Sequence, residues 1–237
     1  MNPYQKLLNR KRKWTPVQTN AGTCKAGAEE AIHRALALRH MELPVGDFIT
    51  DALSSDVPNN ARDILLSNVK DEENHDLALG YIANAYGVDK TAEAEALRLK
   101  AAWEAHPDHT ITKALVAERA IFFVLLPFFR FNGDAGMRTV SADISRDEQI
   151  HVATNSLVHT ELGYNISPSL DKLRKATINW VMQPLGDHAD KYLNKKFWLE
   201  SSDRLMYEGK APQLSETKAA RMPAFFEHSN VNLPQYA

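Results

Sequence analysis

The sequence predicts an all-α fold, a four-helix bundle with additional C-terminal helices, and three observations carry that prediction. Glycine is scarce, at 10 of 237 residues, and long stretches are rich in Ala, Leu, Glu, Lys and Arg, which lose little on entering a helix. Apolar residues recur at three- and four-residue spacing, the period of a helix with one buried face. The third observation is a duplication: Asp71-Glu72-x-x-His75 and Asp147-Glu148-x-x-His151 are related by an offset of 76 residues, which also carries Glu42 onto Glu118.

Taken in order, residues 1–20 are polar and basic, with Arg10 to Lys13 leading into Trp14, and read as a solvated N-terminal arm anchored by the indole. Helical periodicity begins near Ala21 and carries Ala28, Ile32, Ala35, Leu36 and Leu43 toward Phe48 and Leu53. Pro44 removes the hydrogen bond to the carbonyl of His40, so a kink is expected beside Glu42. The cluster from Ser54 to Asn60 reads as a turn, after which a second helix runs to about Tyr86 and ends at Gly87-Val88-Asp89. Residues 91–105 form a helical crossover broken by His106-Pro107-Asp108. A third bundle helix, from about His109 to Phe131, is the most apolar and is expected to be buried on most sides. Asn132-Gly133-Asp134 turns the chain into a fourth, reaching Leu162 and closed by Gly163. Two more helices, over roughly 168–186 and 189–207, are expected outside the bundle. Residues 21–208 thus form one bundle domain, and 209–237, with Pro223 and Pro234, read as an extended tail.

Composition narrows the function classes. A net charge of −2 predicts no nucleic-acid partner. The longest apolar run, Ile121 to Phe129, has nine residues and contains Pro127, too short to span a bilayer, and no signal-peptide pattern precedes it. The single cysteine, Cys24, excludes an internal disulfide framework and fits a small residue near a helix start in a reducing, cytoplasmic setting.

The duplicated motif carries the chemistry. Residues three apart on a helix point about 60° from each other, so the Glu and His of each motif can grip one ion from the same face. Glu42, Glu72, His75, Glu118, Glu148 and His151 resemble the inward-facing ligand set of a ferritin-like di-metal carboxylate bundle and are expected to be metal ligands. The lengths agree, since each antiparallel pair places its ligands about 20 Å from the connecting turn and both pairs can meet in one layer. Glu30-x-x-His33 shares the spacing, but the offset lands on His106 and His109, and the pair reads as solvated. Four carboxylates with two imidazoles suit two iron ions, or manganese with iron, better than calcium or magnesium, and the site class suits reductive activation of O2.

Around the ligands, Asp147 is placed to accept the free ring N–H of His75, and Asp71 that of His151; surface salt bridges with Arg146 and Lys70 are the alternative. Leu79, Leu115, Phe122 and Val152 lie one turn from ligands and are expected to make a dry lining. Asn155, which the offset pairs with Leu79, is its polar exception, bonding either a metal-bound water or substrate oxygen, or neighbouring side chains.

The stretch Ile144-Ser145-Arg146-Asp147-Glu148-Gln149-Ile150-His151, with Glu118-Arg119-Ala120-Ile121-Phe122-Phe123 before it, resembles the second half of the radical-generating small subunit of class I ribonucleotide reductase. The resemblance covers about 35 residues and implies Glu118, Glu148 and His151 as ligands with Asp147 behind a histidine. That family carries a radical-forming tyrosine four residues after its first motif histidine, where this chain has Leu79; Tyr81 faces another direction. Length and ligand layout are also similar to the cyanobacterial aldehyde-deformylating oxygenases. These readings imply an O2-activating di-iron oxidoreductase that takes a small, partly apolar substrate and an electron donor. A radical generator docking on a large subunit through the C-terminal tail, where Tyr236 lies, is the second expectation. Iron oxidation or storage is the third, and pairing as a homodimer is compatible with each.

Overall fold

The computed structural model describes residues 2–55 and 57–214. Ten α-helices account for most of them: α1 (Pro3–Leu8), α2 (Glu29–Ala37), α3 (Glu42–Leu53), α4 (Arg62–Tyr86), α5 (Lys90–Glu104), α6 (Thr110–Ala117), α7 (Phe123–Asn132), α8 (Ala135–Leu162), α9 (Pro168–Met182) and α10 (Lys195–Glu208). No strand occurs among the described residues, and no described helix is long and apolar enough to cross a membrane. Asp56 and the tail residues Pro223, Pro234 and Tyr236 lie outside the described residues.

Two of the bundle's four rods are composite. A 3-10 turn, Leu38–Met41, joins α2 to α3, and a π-helical turn, Glu118–Phe122, joins α6 to α7. The first is the break anticipated from Pro44, which sits in the opening turn of α3, where its missing N–H costs least. The π-turn has no proline or glycine within it and was not legible from residue types.

The order of the chain sets the direction of each rod. The side chain of Ser55, after α3, meets His109, before α6, at 3.4 Å, so those termini share one end of the bundle. At the other end, Tyr86 Oη donates to the Gly22 carbonyl at 2.9 Å while Gly22 N–H donates to Asp134, the N-cap of α8, at 2.6 Å. Hence α3 and α8 point toward the first end, and α4 and the α6–α7 rod toward the second.

The apolar core fills the space between these rods, and nearly every residue of α6 and α7 is buried, as their composition predicts. Such a rod needs cover on its outer side, which α9 and α10 supply. Phe128 meets Trp198 edge to face at 5.4 Å, and the fully buried Arg174 guanidinium joins the two outer helices by donating to Ser202 and Asp203. Gly163, in the left-handed region at φ 67°, closes α8 as expected.

The N-terminal region departs from expectation twice. Residues 3–8 form a capped helix whose Tyr4 is buried and donates to Glu161 of α8 at 2.8 Å, so the arm begins as a docked element. Residues 21–28, read as the start of the first rod, are not helical, and α2 begins at Glu29. Tertiary bonds outcompete helical ones here: Gly22 N–H goes to Asp134, and Lys25 N–H to the Asn132 carbonyl at 2.8 Å. Cys24 Sγ lies 2.8 Å from Tyr86 Oη in that same junction.

Candidate metal centre

Glu42, Glu72, His75, Glu118, Glu148 and His151 come from four rods and meet in one layer of the core, each no more than 1 % exposed. The regular helices α4 and α8 supply the Glu-x-x-His pairs; α3 supplies Glu42 as its first residue, and the π-turn supplies Glu118 as its first. A π-turn widens the helix by one residue and re-aims the side chains around it, a distortion that recurs at functional sites.

The six side chains fall into two groups that share members. His75 Nδ1 lies 3.1 Å from Glu72 Oε2, 3.3 Å from Glu148 Oε1 and 3.7 Å from Glu42 Oε2. His151 Nδ1 lies 2.9 Å from Glu72 Oε1, 3.6 Å from Glu118 Oε1 and 3.9 Å from Glu148 Oε1. Glu72 therefore turns one oxygen to each histidine, and Glu148 reaches both. Donor atoms of Glu42, Glu72, His75 and Glu148 lie within 4.8 Å of one another, as do those of Glu72, Glu118 and His151, so this buried Glu/His cluster can hold metal ions.

Several polar atoms facing the shared space form no hydrogen bond, although Glu72 Oε1 and His151 Nδ1 lie opposite each other as an ion pair. Glu42 Oε2, Glu72 Oε1, Glu118 Oε1, both oxygens of Glu148 and His151 Nδ1 are all buried without a hydrogen bond. Leaving even one such group unsatisfied costs about 1–3 kcal/mol, and more for a charge, so a cluster of them calls for a cation. The donor set fits: four carboxylates balance two divalent ions, and both imidazoles present Nδ1 inward.

Without a cation, protons must do that balancing. Burial pushes the Glu42 carboxyl up to about 8, with Glu72 and Glu148 adding to the effect and His75 opposing it. Burial, reinforced by Glu148, raises Glu118 well above the carboxylate range, and Glu148 is raised by burial too. Glu72 goes the other way, because His151 and His75 outweigh its burial. Burial alone would depress His151, but Glu72, Asp71 and Glu148 carry it up to about 10. His75 is likewise well above its ordinary value, with Asp147 and Glu148 overcoming burial.

Both expected cross-helix contacts are present. His75 Nε2 lies 3.3 Å from Asp147 Oδ2, and His151 Nε2 lies 3.0 Å from Asp71 Oδ2, so each ring turns its other nitrogen toward the glutamates. Each aspartate is held in turn from the N-terminal arm. Trp14 Nε1 donates to Asp147 Oδ2 at 2.6 Å and its ring stacks on His75 at 6.2 Å between centroids. Lys11 Nζ pairs with Asp71 and donates to Asn68 Oδ1 at 2.7 Å. The indole was expected to anchor the arm, but nothing in the sequence indicated that it anchors on this centre, or that Lys11 does. Neither Arg146 nor Lys70 takes the anticipated part; Arg146 lies beside Asp143 instead.

The expected lining residues divide between the two sides of the layer. Leu79 and Phe122 lie beyond the ligands of rods pointing to the second end of the bundle, whereas Leu115 and Asn155 lie on the side of the first. Leu79, Leu115 and Phe122 are buried, but Val152, which follows His151 on α8, is partly exposed. Asn155 Nδ2 donates to Glu118 Oε2 at 2.6 Å, so its amide is spent on a carboxylate of the centre. Glu30 pairs with Arg34 at 2.7 Å, the solvated role read from the sequence.

Comparison of the chain with family models, with curated proteins and with solved structures finds no match to any of them.

Proposed function

We propose that this chain is a non-haem di-iron oxidoreductase that activates O2 to oxidise or oxygenate a small, partly apolar substrate. The observation that supports it most is the set of buried carboxylate oxygens and imidazole nitrogens that face one another in two interlocked groups, several of them without a hydrogen bond. Iron(II) bound there would supply the electrons that reduce O2. Glu42 and His75 would hold one ion, Glu118 and His151 the other, with Glu72 and Glu148 between them. Asp147 and Asp71 fix the ring orientation of the two histidines and keep the N–H on the outward nitrogen. Leu79 and Phe122 on one side, and Leu115 on the other, keep the layer dry.

A second reading, the supply of an oxidising equivalent to a partner protein, is favoured by one contact. The indole of Trp14 touches both His75 and the carboxylate behind it, which joins the centre to the edge of the fold without any tyrosine. The position one turn beyond His75 is Leu79 and that beyond His151 is Asn155, so neither motif offers a phenol.

Anaerobic loading with iron(II), metal analysis and exposure to O2 under optical and EPR observation test the proposal. Two irons per chain and a diferric product without a long-lived tyrosyl radical are expected. At most one tightly bound iron would overturn the di-iron reading, and a high-yield tyrosyl doublet lost in Tyr81→Phe would replace the oxygenase reading with radical generation. Assembly into a cage that mineralises iron without organic substrate would favour storage.

A further inference from the structure

The two metal positions proposed above are related by the 76-residue offset, yet the side chains around them are not. Asp147, behind His75, accepts from the indole of Trp14, a neutral donor. Asp71, behind His151, is paired with the Lys11 ammonium, whose side chain is only 8 % exposed. A carboxylate that backs a ligand imidazole strengthens it by withdrawing its proton, and an ammonium bound to that carboxylate cancels much of the effect. The ammonium also sets a fixed positive charge behind the ion that His151 would hold.

Two independent differences point the same way. Asn155 donates to Glu118 Oε2, occupying one oxygen of the terminal carboxylate on that side and leaving Oε1 open, while its counterpart by the offset is apolar Leu79, which can donate nothing to Glu42. On the Glu42 side four residues bring donor atoms within 4.8 Å of one another; on the Glu118 side three do.

We propose that the two positions are unequal and bind in sequence, the Glu42/His75 position first and the Glu118/His151 position second, with Lys11 as the positioning residue that weakens the second. This rests on the di-metal reading and adds to it an order of loading set by the N-terminal arm. Because Lys11 sits on Asp71 and not on a ligand, it tunes the centre without touching the ions.

Anaerobic titration of the full chain with Co(II), followed by calorimetry and visible absorption, reads both steps. The wild-type chain should show two, separated by at least about tenfold in Kd, the scale on which groups orienting a metal-bound histidine act. Glu42→Ala should remove the tight step and Glu118→Ala the weak one. Lys11→Met should tighten the second step and narrow the gap, while Lys11→Arg should restore it, which separates an effect of charge from a loosened arm. Two equal steps in the wild-type chain, a gap unchanged in Lys11→Met, or a second step weakened by it would overturn the inference and leave the di-metal reading standing. No Co(II) binding at all would overturn that reading itself.

Discussion

The helices that carry two candidate ligands, α4 and α8, run unbroken for 25 and 28 residues, whereas the rods that carry one are each interrupted at it. Glu42 follows directly on a 3-10 turn and Glu118 opens a π-turn. The contrast has a geometric cause. A Glu and a His three residues apart are held in register by the helical pitch, and any break between them would swing one away by about 100° per residue. A lone glutamate has no partner on its own helix to stay aligned with, so the local pitch can change to bring its carboxylate into the layer. Each pair thus keeps one regular helix and leaves the other free to change pitch at its single glutamate.

Removing a shared residue from a regular helix should do the most damage. Glu72 faces both histidines and Glu148 reaches both, so Glu72→Ala and Glu148→Ala should each abolish the dinuclear centre. Metal analysis after iron(II) reconstitution should give two ions in the wild-type chain and at most one in either variant; retention of two would break the assignment of bridging roles.

The same contrast extends to protons. In the metal-free chain the lone glutamates hold them, Glu42 up to about 8 and Glu118 well above the ordinary carboxylate range, and His151 stays protonated up to about 10. Each of these is raised above its ordinary value, near 4.5 for Glu42 and 6.5 for His151. Each therefore contributes stability that is complete below the ordinary value and is lost as pH rises through the folded one. Thermal melts of the metal-free chain should fall steadily from pH 6.5 to 10. Iron(II) under anaerobic conditions should reverse the trend, because metal competes with those protons, and should add about 4 kcal/mol at a free concentration near a thousand times Kd. Melts that coincide with and without iron(II), or a flat pH dependence without it, would contradict the proton inventory.

The two interruptions should differ in weight. Deleting Ala120 converts the π-turn to regular α-helix, rotating Glu118 relative to the residues beyond it. Loss of one ion with the helical content retained is expected. Pro44→Ala restores an N–H in a first turn that already tolerates its absence, so stoichiometry should be unchanged and stability should move by less than about 1 kcal/mol. Two ions bound after deletion of Ala120 would show that the π-turn does not aim Glu118.

What the sequence made legible follows the same division. The rods, their turns and the six inward residues could be read because each depends on local period or on the 76-residue offset, and neither requires knowledge of distant contacts. The Asp71 and Asp147 contacts were readable too, being fixed by helical phase once the ligands were placed. Lys11 and Trp14 were not, since they reach the centre from an irregular segment, across 60 and 133 residues respectively. The π-turn escaped because Glu118 to Phe122 has the composition of an ordinary buried helix. Helical spacing placed the lining residues one turn from the ligands but not on a given side of the layer; antiparallel rods send Leu79 and Asn155 to opposite sides.

The stacking of Trp14 on His75 also gives the molecule an internal gauge. Of the four tryptophans, Trp103 donates to Thr177 of α9, Trp180 lies beneath Arg34, and Trp198 belongs to the aromatic cluster of α7 and α10. Only Trp14 abuts the centre, so a paramagnetic ion there should quench its emission far more than that of the other three. The difference between the wild-type and Trp14→Phe fluorescence would then follow filling of the His75 side in real time, with no dye attached.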